Sequence, residues 1–153
     1  MPNTLFAEIL QQELDLRVKV TGSSMRPFIN NGEVVTLRKV DTESLNRGDI
    51  IYFTSASGTP VMHRITSKEI TPDSCLLFTT KGDAHQQEDL QISGNQILGK
   101  AFHVEKKLPL LGPFSLNLDS ILSSGLYRIY GLIFSLKCKT RRYLKLVFTS
   151  SAK

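Results

Sequence analysis

Leu16-Arg17-Val18-Lys19-Val20-Thr21-Gly22-Ser23-Ser24-Met25-Arg26-Pro27 runs from strict alternation into a turn, and the rest of the chain is read outward from it. Residues 16–20 alternate apolar and polar, the period of a half-buried strand. Gly22 can take backbone angles closed to other residues, and Pro27 fixes its own φ and biases Arg26 toward an extended conformation. Ser24 therefore stands on a stiff corner at the end of a strand, a position that suits a nucleophilic hydroxyl. A serine in a Gly-Ser loop is more often plain turn chemistry, so its meaning depends on what lies downstream.

Downstream the β texture continues to about residue 106. Strands are expected at 16–20, 34–38, 49–54, 60–70, 74–80 and 96–105, each short and rich in β-branched or aromatic residues. Turn formers bound them: Asn30-Asn31-Gly32, Arg47-Gly48-Asp49, Ser57-Gly58-Thr59, Thr71-Pro72-Asp73, Gly82-Asp83 and Ser93-Gly94-Asn95. Short strands without intervening helices point to a mainly β, mostly antiparallel barrel-like or sandwich domain. Upstream, Leu5, Phe6, Ile9, Leu10 and Leu14 fall at helical spacing and predict a short amphipathic helix over 4–14, most simply a lid on the core. Beyond Pro113 the period turns helical again, through Leu118, Ile121, Leu122, Ile129, Leu132, Ile133 and Leu136. The expected organisation is a β domain over 1–112, its N-terminal helix included, and an amphipathic basic appendage over 113–153.

With 153 residues, 41% hydrophobic and 22% charged, the chain suits one domain with a real core. Its net charge of +5 is unevenly placed. Residues 1–119 carry 12 basic against 14 acidic residues; residues 120–153 carry seven basic residues and no acid. The cationic character thus belongs to the tail, which argues against a nucleic-acid-binding body and for a separate contact made by the C-terminus. That tail reads either as a solvated helix packed on the body or as a peripheral attachment to an anionic membrane. No signal peptide and no window of roughly 20 apolar residues is expected anywhere. Cys75 and Cys138 lie far apart and outside any Cys-x-x-Cys pattern, and no His/Cys/Asp/Glu grouping has metal spacing, so neither a disulfide framework nor a metal site is expected.

His63 lies inside the strand Val61-Met62-His63-Arg64-Ile65, followed by Thr80-Lys81-Gly82-Asp83 and then Asp89. A serine, a histidine and an acid on a β scaffold are the parts of acyl-transfer chemistry. An imidazole, with an ordinary pKa near 6.5, can take a serine proton close to neutral pH. A carboxylate on its other nitrogen fixes the tautomer and stabilises the imidazolium. His85 and His103 read as surface or otherwise satisfied positions.

Gly22-x-Ser24-Met25-x-Pro27, Asn46-Arg47-Gly48-Asp49-Ile50-Ile51-Tyr52-Phe53, Val61-Met62-His63-Arg64-Ile65 and Thr80-Lys81-Gly82-Asp83 with Asp89 together resemble a type I signal peptidase. The likeness is to the archaeal and endoplasmic-reticulum branch, where histidine stands in place of the bacterial lysine. Ile97-Leu98-Gly99-Lys100-Ala101 resembles the closing strand, so the likeness covers roughly residues 20–105. The resemblance implies the signal-peptidase/LexA-like antiparallel β catalytic domain, with Ser24 as nucleophile, His63 as general base, Asp89 orienting His63 and Asp83 a second acid of the site. Which of Asp89 and Asp83 partners His63 stays open at this level. It further implies no cofactor, an extended peptide or preprotein substrate bound as an added strand, and cleavage after small residues. Membrane association would follow from the basic tail, a cytoplasmic location from its absence at the membrane. The chain departs from the family in three places. The N-terminal membrane anchor is not expected within residues 1–15. Gly22 stands where several members carry a serine that helps hold the oxyanion, leaving that task to backbone N–H groups from Ser24 onward. Ala84-His85 follows Gly82-Asp83 where asparagine or arginine is usual. A soluble processing peptidase for a dedicated precursor and a non-catalytic peptide-binding module on the same scaffold are the competing readings.

Overall fold

The computed structural model describes residues 15–108 and 112–118, all within the first of the two units into which the chain divides, Met1–Asp119. The helix expected over 4–14 and nearly all of the appendage, with its basic cluster, lie outside the described residues. Eight strands follow in order: β1 (Leu16–Lys19), β2 (Val34–Arg38), β3 (Ile50–Thr54), β4 (Pro60–Ile70), β5 (Leu76–Lys81), β6 (Ile92–Ser93), β7 (Ile97–Leu108) and β8 (Gly112–Asn117). Residues 15–117 contain no α-helix where described, only single 3₁₀ turns at Thr42–Ser44 and Gly94–Gln96. No helix among the described residues is long and apolar enough to cross a membrane.

Every pairing is antiparallel, in one sheet of order β1-β2-β7-β3-β4-β5-β6, with β8 hairpinned onto β7. The two long strands each change partner along their length. β4 pairs with β3 from Pro60 to Arg64 and with β5 from Arg64 to Ile70. On one side β7 pairs with β3 through Ile97–Lys100 and then with β8 from His103 onward. Such changes of partner, with bulges at Thr36/Leu37, Tyr52/Phe53 and Ile65/Ser67, let a sheet curl into a half-barrel.

Both faces of the curl are covered. Ile50 and Tyr52 of β3 join Met25, Ile29, Val35, Leu37, Met62, Ala101 and Val104 in one core. Their neighbours Ile51 and Phe53 join Leu45, Ile65, Phe78 and Ile92 in the other. Four consecutive buried residues in β3 follow from this, since alternate side chains of one strand must serve both faces. The continuous run Ile50-Ile51-Tyr52-Phe53 is what such a doubly covered strand looks like in sequence.

The turn after β1 is held from two sides. Met25 and Ile29, 2% and 0% exposed, sink into the first core, and the Ile29 N–H donates to the Met25 carbonyl at 2.9 Å. Gly22 has φ +99°, as the turn requires, and the Arg26–Pro27 peptide is cis. From the opposite side Lys106 of β7 donates its ammonium to the Phe28 carbonyl and, at 2.8 Å, to the Glu33 carboxylate. Burial pushes the Glu33 carboxyl up, but the Lys106 and Asn30 donors outweigh it and hold the group below its ordinary value of 4.5. A carboxyl held down in the folded state contributes stability above its unfolded value, and that contribution is lost as pH falls through the folded value. Glu33→Gln should therefore lower the urea midpoint at pH 7, and the gap to wild type should close between about pH 5 and pH 3. A gap of constant size across that range would count against the assignment.

Candidate active site

Cross-strand pairing sets His63 opposite Ile51, so its ring belongs to the face that carries Phe53, 6.3 Å away centroid to centroid. The last β4–β5 pair is Arg64 with Lys81. His63 thus stands just past the end of β5, where the chain turns away at Gly82 and the sheet edge opens. The serine turn, anchored through Met25 in the other core, reaches that same opening. The Ala84 N–H donates to the Ser24 carbonyl at 2.8 Å.

Gly82 marks how closely these parts pack. A Cβ built on it would lie 2.9 Å from the Ser24 carbonyl oxygen, 2.9 Å from His85 Nδ1 and 3.0 Å from His63 Nε2. The serine backbone and the Nε2 edge of the imidazole converge on one point, and only a hydrogen fits there. Ser24 itself is half-buried, between exposed Ser23 and buried Met25.

The other nitrogen of His63 is engaged. His63 Nδ1 lies 2.6 Å from Asp89 Oδ2, and the Thr80 hydroxyl donates to that same oxygen at 2.7 Å. Thr80 is fully buried, and its carbonyl accepts the Asp89 N–H at 2.8 Å, so one residue fixes both ends of the acid. The His63 side chain is 7% exposed and that of Asp89 28%, so the contact is shielded while the carboxylate keeps an edge to water.

Asp83 takes another partner. Arg64, one residue after His63, donates Nε and Nη2 to the two Asp83 oxygens at 2.7 Å each, and Nη1 to the Gly48 carbonyl. Burial pushes the Asp83 carboxyl up, against the downward pull of Arg64 and, more weakly, of His63 and Lys81. Burial likewise draws Arg64 down from its ordinary value. The pair acts as a strut: it fastens the 82–85 turn to β4 next to the imidazole. His85 on that turn is exposed, with its ring perpendicular to His63 at 5.4 Å between centroids.

The structure thus brings Asp89 to His63, sets Asp83 on Arg64, and gathers Ser24 and His63 around Gly82. Sequence reasoning had singled out neither Thr80, Arg64 nor Gly82 for a role of its own. Thr80 had a signal, because it shares an inward position of β5 with Phe78 and puts a hydroxyl where the pattern asks for a hydrocarbon. Arg64 gave none, since an arginine within a half-buried strand ordinarily points to solvent. No group of three or more metal-ligating side chains occurs among the described residues.

A carboxylate-held imidazole thus faces the backbone of the serine turn across Gly82. No family model matches the chain. Signal peptidase I W of Bacillus subtilis (strain 168) is 37% identical to it over 71 residues, 46% of this chain and 37% of that protein, so the chain matches little more than a third of that relative's length. The signal peptidase complex catalytic subunit SEC11 of Scheffersomyces stipitis (strain ATCC 58785 / CBS 6054 / NBRC 10063 / NRRL Y-11545) is 26% identical over 122 residues, 76% of this chain and 70% of that protein. These two similarities support a likeness of the chain to signal peptidases.

Two substitutions test the geometry. On a reading of Ser24 and His63 as a catalytic pair, Gly82→Ala should lower kcat/KM about 100-fold with the circular dichroism spectrum retained, because a displacement near 1 Å between reacting groups costs that much. An alanine variant as active as wild type would mean that the turn and the ring have room between them. Arg64→Leu, which takes the guanidinium from a buried carboxylate, should lower the unfolding free energy by about 3–5 kcal/mol in urea titrations. Arg64→Lys should recover part of it, a point charge replacing a two-pronged donor.

Proposed function

We propose that this protein is a serine endopeptidase of the signal peptidase kind, with Ser24 as nucleophile and His63 as general base. The observation that carries the reading is the 2.6 Å contact of His63 Nδ1 with Asp89, made while Nε2 is turned to Gly82 and the Ser24 backbone. With its proton on Nδ1, the ring presents the Nε2 lone pair on the side from which Ser24 approaches.

Ser24 Oγ attacks the carbonyl carbon of the scissile peptide and gives its proton to His63 Nε2. The C–N bond breaks as that proton passes to the leaving nitrogen, releasing the C-terminal portion and leaving an acyl-serine. Water then attacks the ester carbon and gives a proton to His63, which passes it to Ser24 Oγ as the acyl C–O bond breaks and the acid departs. Asp89 stabilises the imidazolium in both halves, and the Thr80 hydroxyl keeps it from turning away. Asp83 serves the site through Arg64, as the fastening of the turn that carries Gly82. Backbone N–H groups, starting with that of Ser24, hold the oxyanion. No cofactor enters the chemistry. The substrate is a signal or leader peptide laid along the sheet as an extended strand and cut after small residues. The basic residues between 120 and 153 would hold the enzyme at an anionic membrane surface, where each contributes about 1 kcal/mol.

Ser24→Ala and His63→Ala should each reduce cleavage of a leader peptide to background, and Asp89→Asn should lower kcat by about 10⁴-fold, with the fold retained by circular dichroism. Because the working base is a neutral imidazole, kcat/KM should fall on acidification. Full cleavage by Ser24→Ala, or a rate indifferent to acid, would remove the assignment.

A further inference from the structure

Beside the His63 ring opens a cavity of about 300 Å³ whose walls include Phe53, Val61, His63, Asp89, Leu90 and Ile92. Neither Gly82 nor any residue of the serine turn lines it, so it lies on the imidazole's side of the site, away from Ser24. Its deep walls are apolar: Phe53 is 2% and Ile92 5% exposed. Leu90, 82% exposed, stands at its mouth directly after Asp89.

The polar groups of the lining already have protein partners. Ser55 Oγ donates to the Thr59 carbonyl, and Ser57 Oγ lies within hydrogen-bond distance of Ser55 Oγ and Thr59 Oγ1. Gln96 donates to the Thr54 carbonyl and accepts from the Ser93 N–H. Gln91 reaches Glu69, and Asp89 is held by His63 and Thr80. A guest therefore meets hydrocarbon walls. No lysine or arginine lines the cavity, and the one charge, Asp89, is negative.

We infer that this cavity is a subsite for an uncharged apolar side chain of the leaving portion of the substrate, within the first two residues after the scissile bond. The inference rests on the peptidase reading. In that reaction His63 hands its proton to the leaving nitrogen, so the chain beyond the scissile bond departs past the imidazole. The cavity adjoins that imidazole and Asp89. A site that cuts after small residues would thereby also select on the residues beyond the cut.

The test uses peptides identical up to the scissile bond that carry Leu, Ala or Asp at the first or second position after it. At one of these positions kcat/KM should favour Leu over Ala by at least about 10-fold, the discrimination an apolar pocket achieves, and Asp should be poorer still. In Leu90→Ser, which changes an exposed side chain, and in Ala56→Phe, which narrows the cavity, the Leu/Ala ratio should fall toward one. Equal rates for Leu and Ala at both positions overturn the inference, as does a ratio unchanged by both substitutions. A fluorophosphonate probe carries no leaving peptide, so its labelling of Ser24 tests the catalytic reading alone. Labelling together with indifference to the leaving residues removes only the subsite; failure to label Ser24 removes both.

Discussion

The site depends on a missing side chain. At Gly82 the backbone of the serine turn and the edge of the imidazole come so close that any Cβ would meet both at 3.0 Å or less. Attraction alone does not produce such an approach, because two loops drawn together by hydrogen bonds still keep the spacing their side chains demand. Here the spacing is set by a residue with none. The Ala84 to Ser24 hydrogen bond fixes the direction of approach, and the Arg64–Asp83 pair fixes its end point by tying the turn to the strand that carries the histidine.

That strand connects the two halves of the body. Its neighbour β3 is buried on both faces and separates two cores, one holding Met25 and the other Phe53 and Phe78. The serine is anchored through the first core and the imidazole belongs to the face of the second, so neither core alone assembles the site. They meet where β5 stops, one pair short of His63. The early end of β5 thus matters as much as its hydrogen bonds: another pair would cover the opening with backbone. Asp89, returning after the Gly82 turn, closes the far side of the ring through Thr80.

Much of this was legible in the residues, and the losses have physical reasons. β2 and β4 fall on the residues that alternation and β-branching mark, and β3, β5 and β7 differ from them by one to three residues at their ends. The turn at Arg47-Gly48-Asp49 is present, with Gly48 at φ +101° and the Asp49 carboxylate accepting the Asn46 N–H. β8 was missed because Gly112-Pro113 reads as a break, whereas a strand that among the described residues pairs on one side only tolerates a proline. β6 is two residues long, too short for any period. At the site, the resemblance to signal peptidases named Ser24, His63, Asp83 and Asp89 but could not say which acid meets the ring. Both lie on a loop whose path is set by contacts distant in sequence, and the deciding groups, Thr80 and Arg64, carry no motif of their own.

The clamp on the serine turn comes from late in the chain. Lys106 grips Phe28 and Glu33 from more than 70 residues away, and Ala84 reaches Ser24 across 60. Contacts of such long sequence separation form slowly, after local hairpins have closed. During synthesis Ser24 leaves the ribosome well before the residues that orient it, so the nascent polypeptide holds a hydroxyl without its geometry. The close approach of the serine turn to the imidazole is thereby deferred until β7 is in place, so the hydroxyl acquires its surroundings only near the end of synthesis.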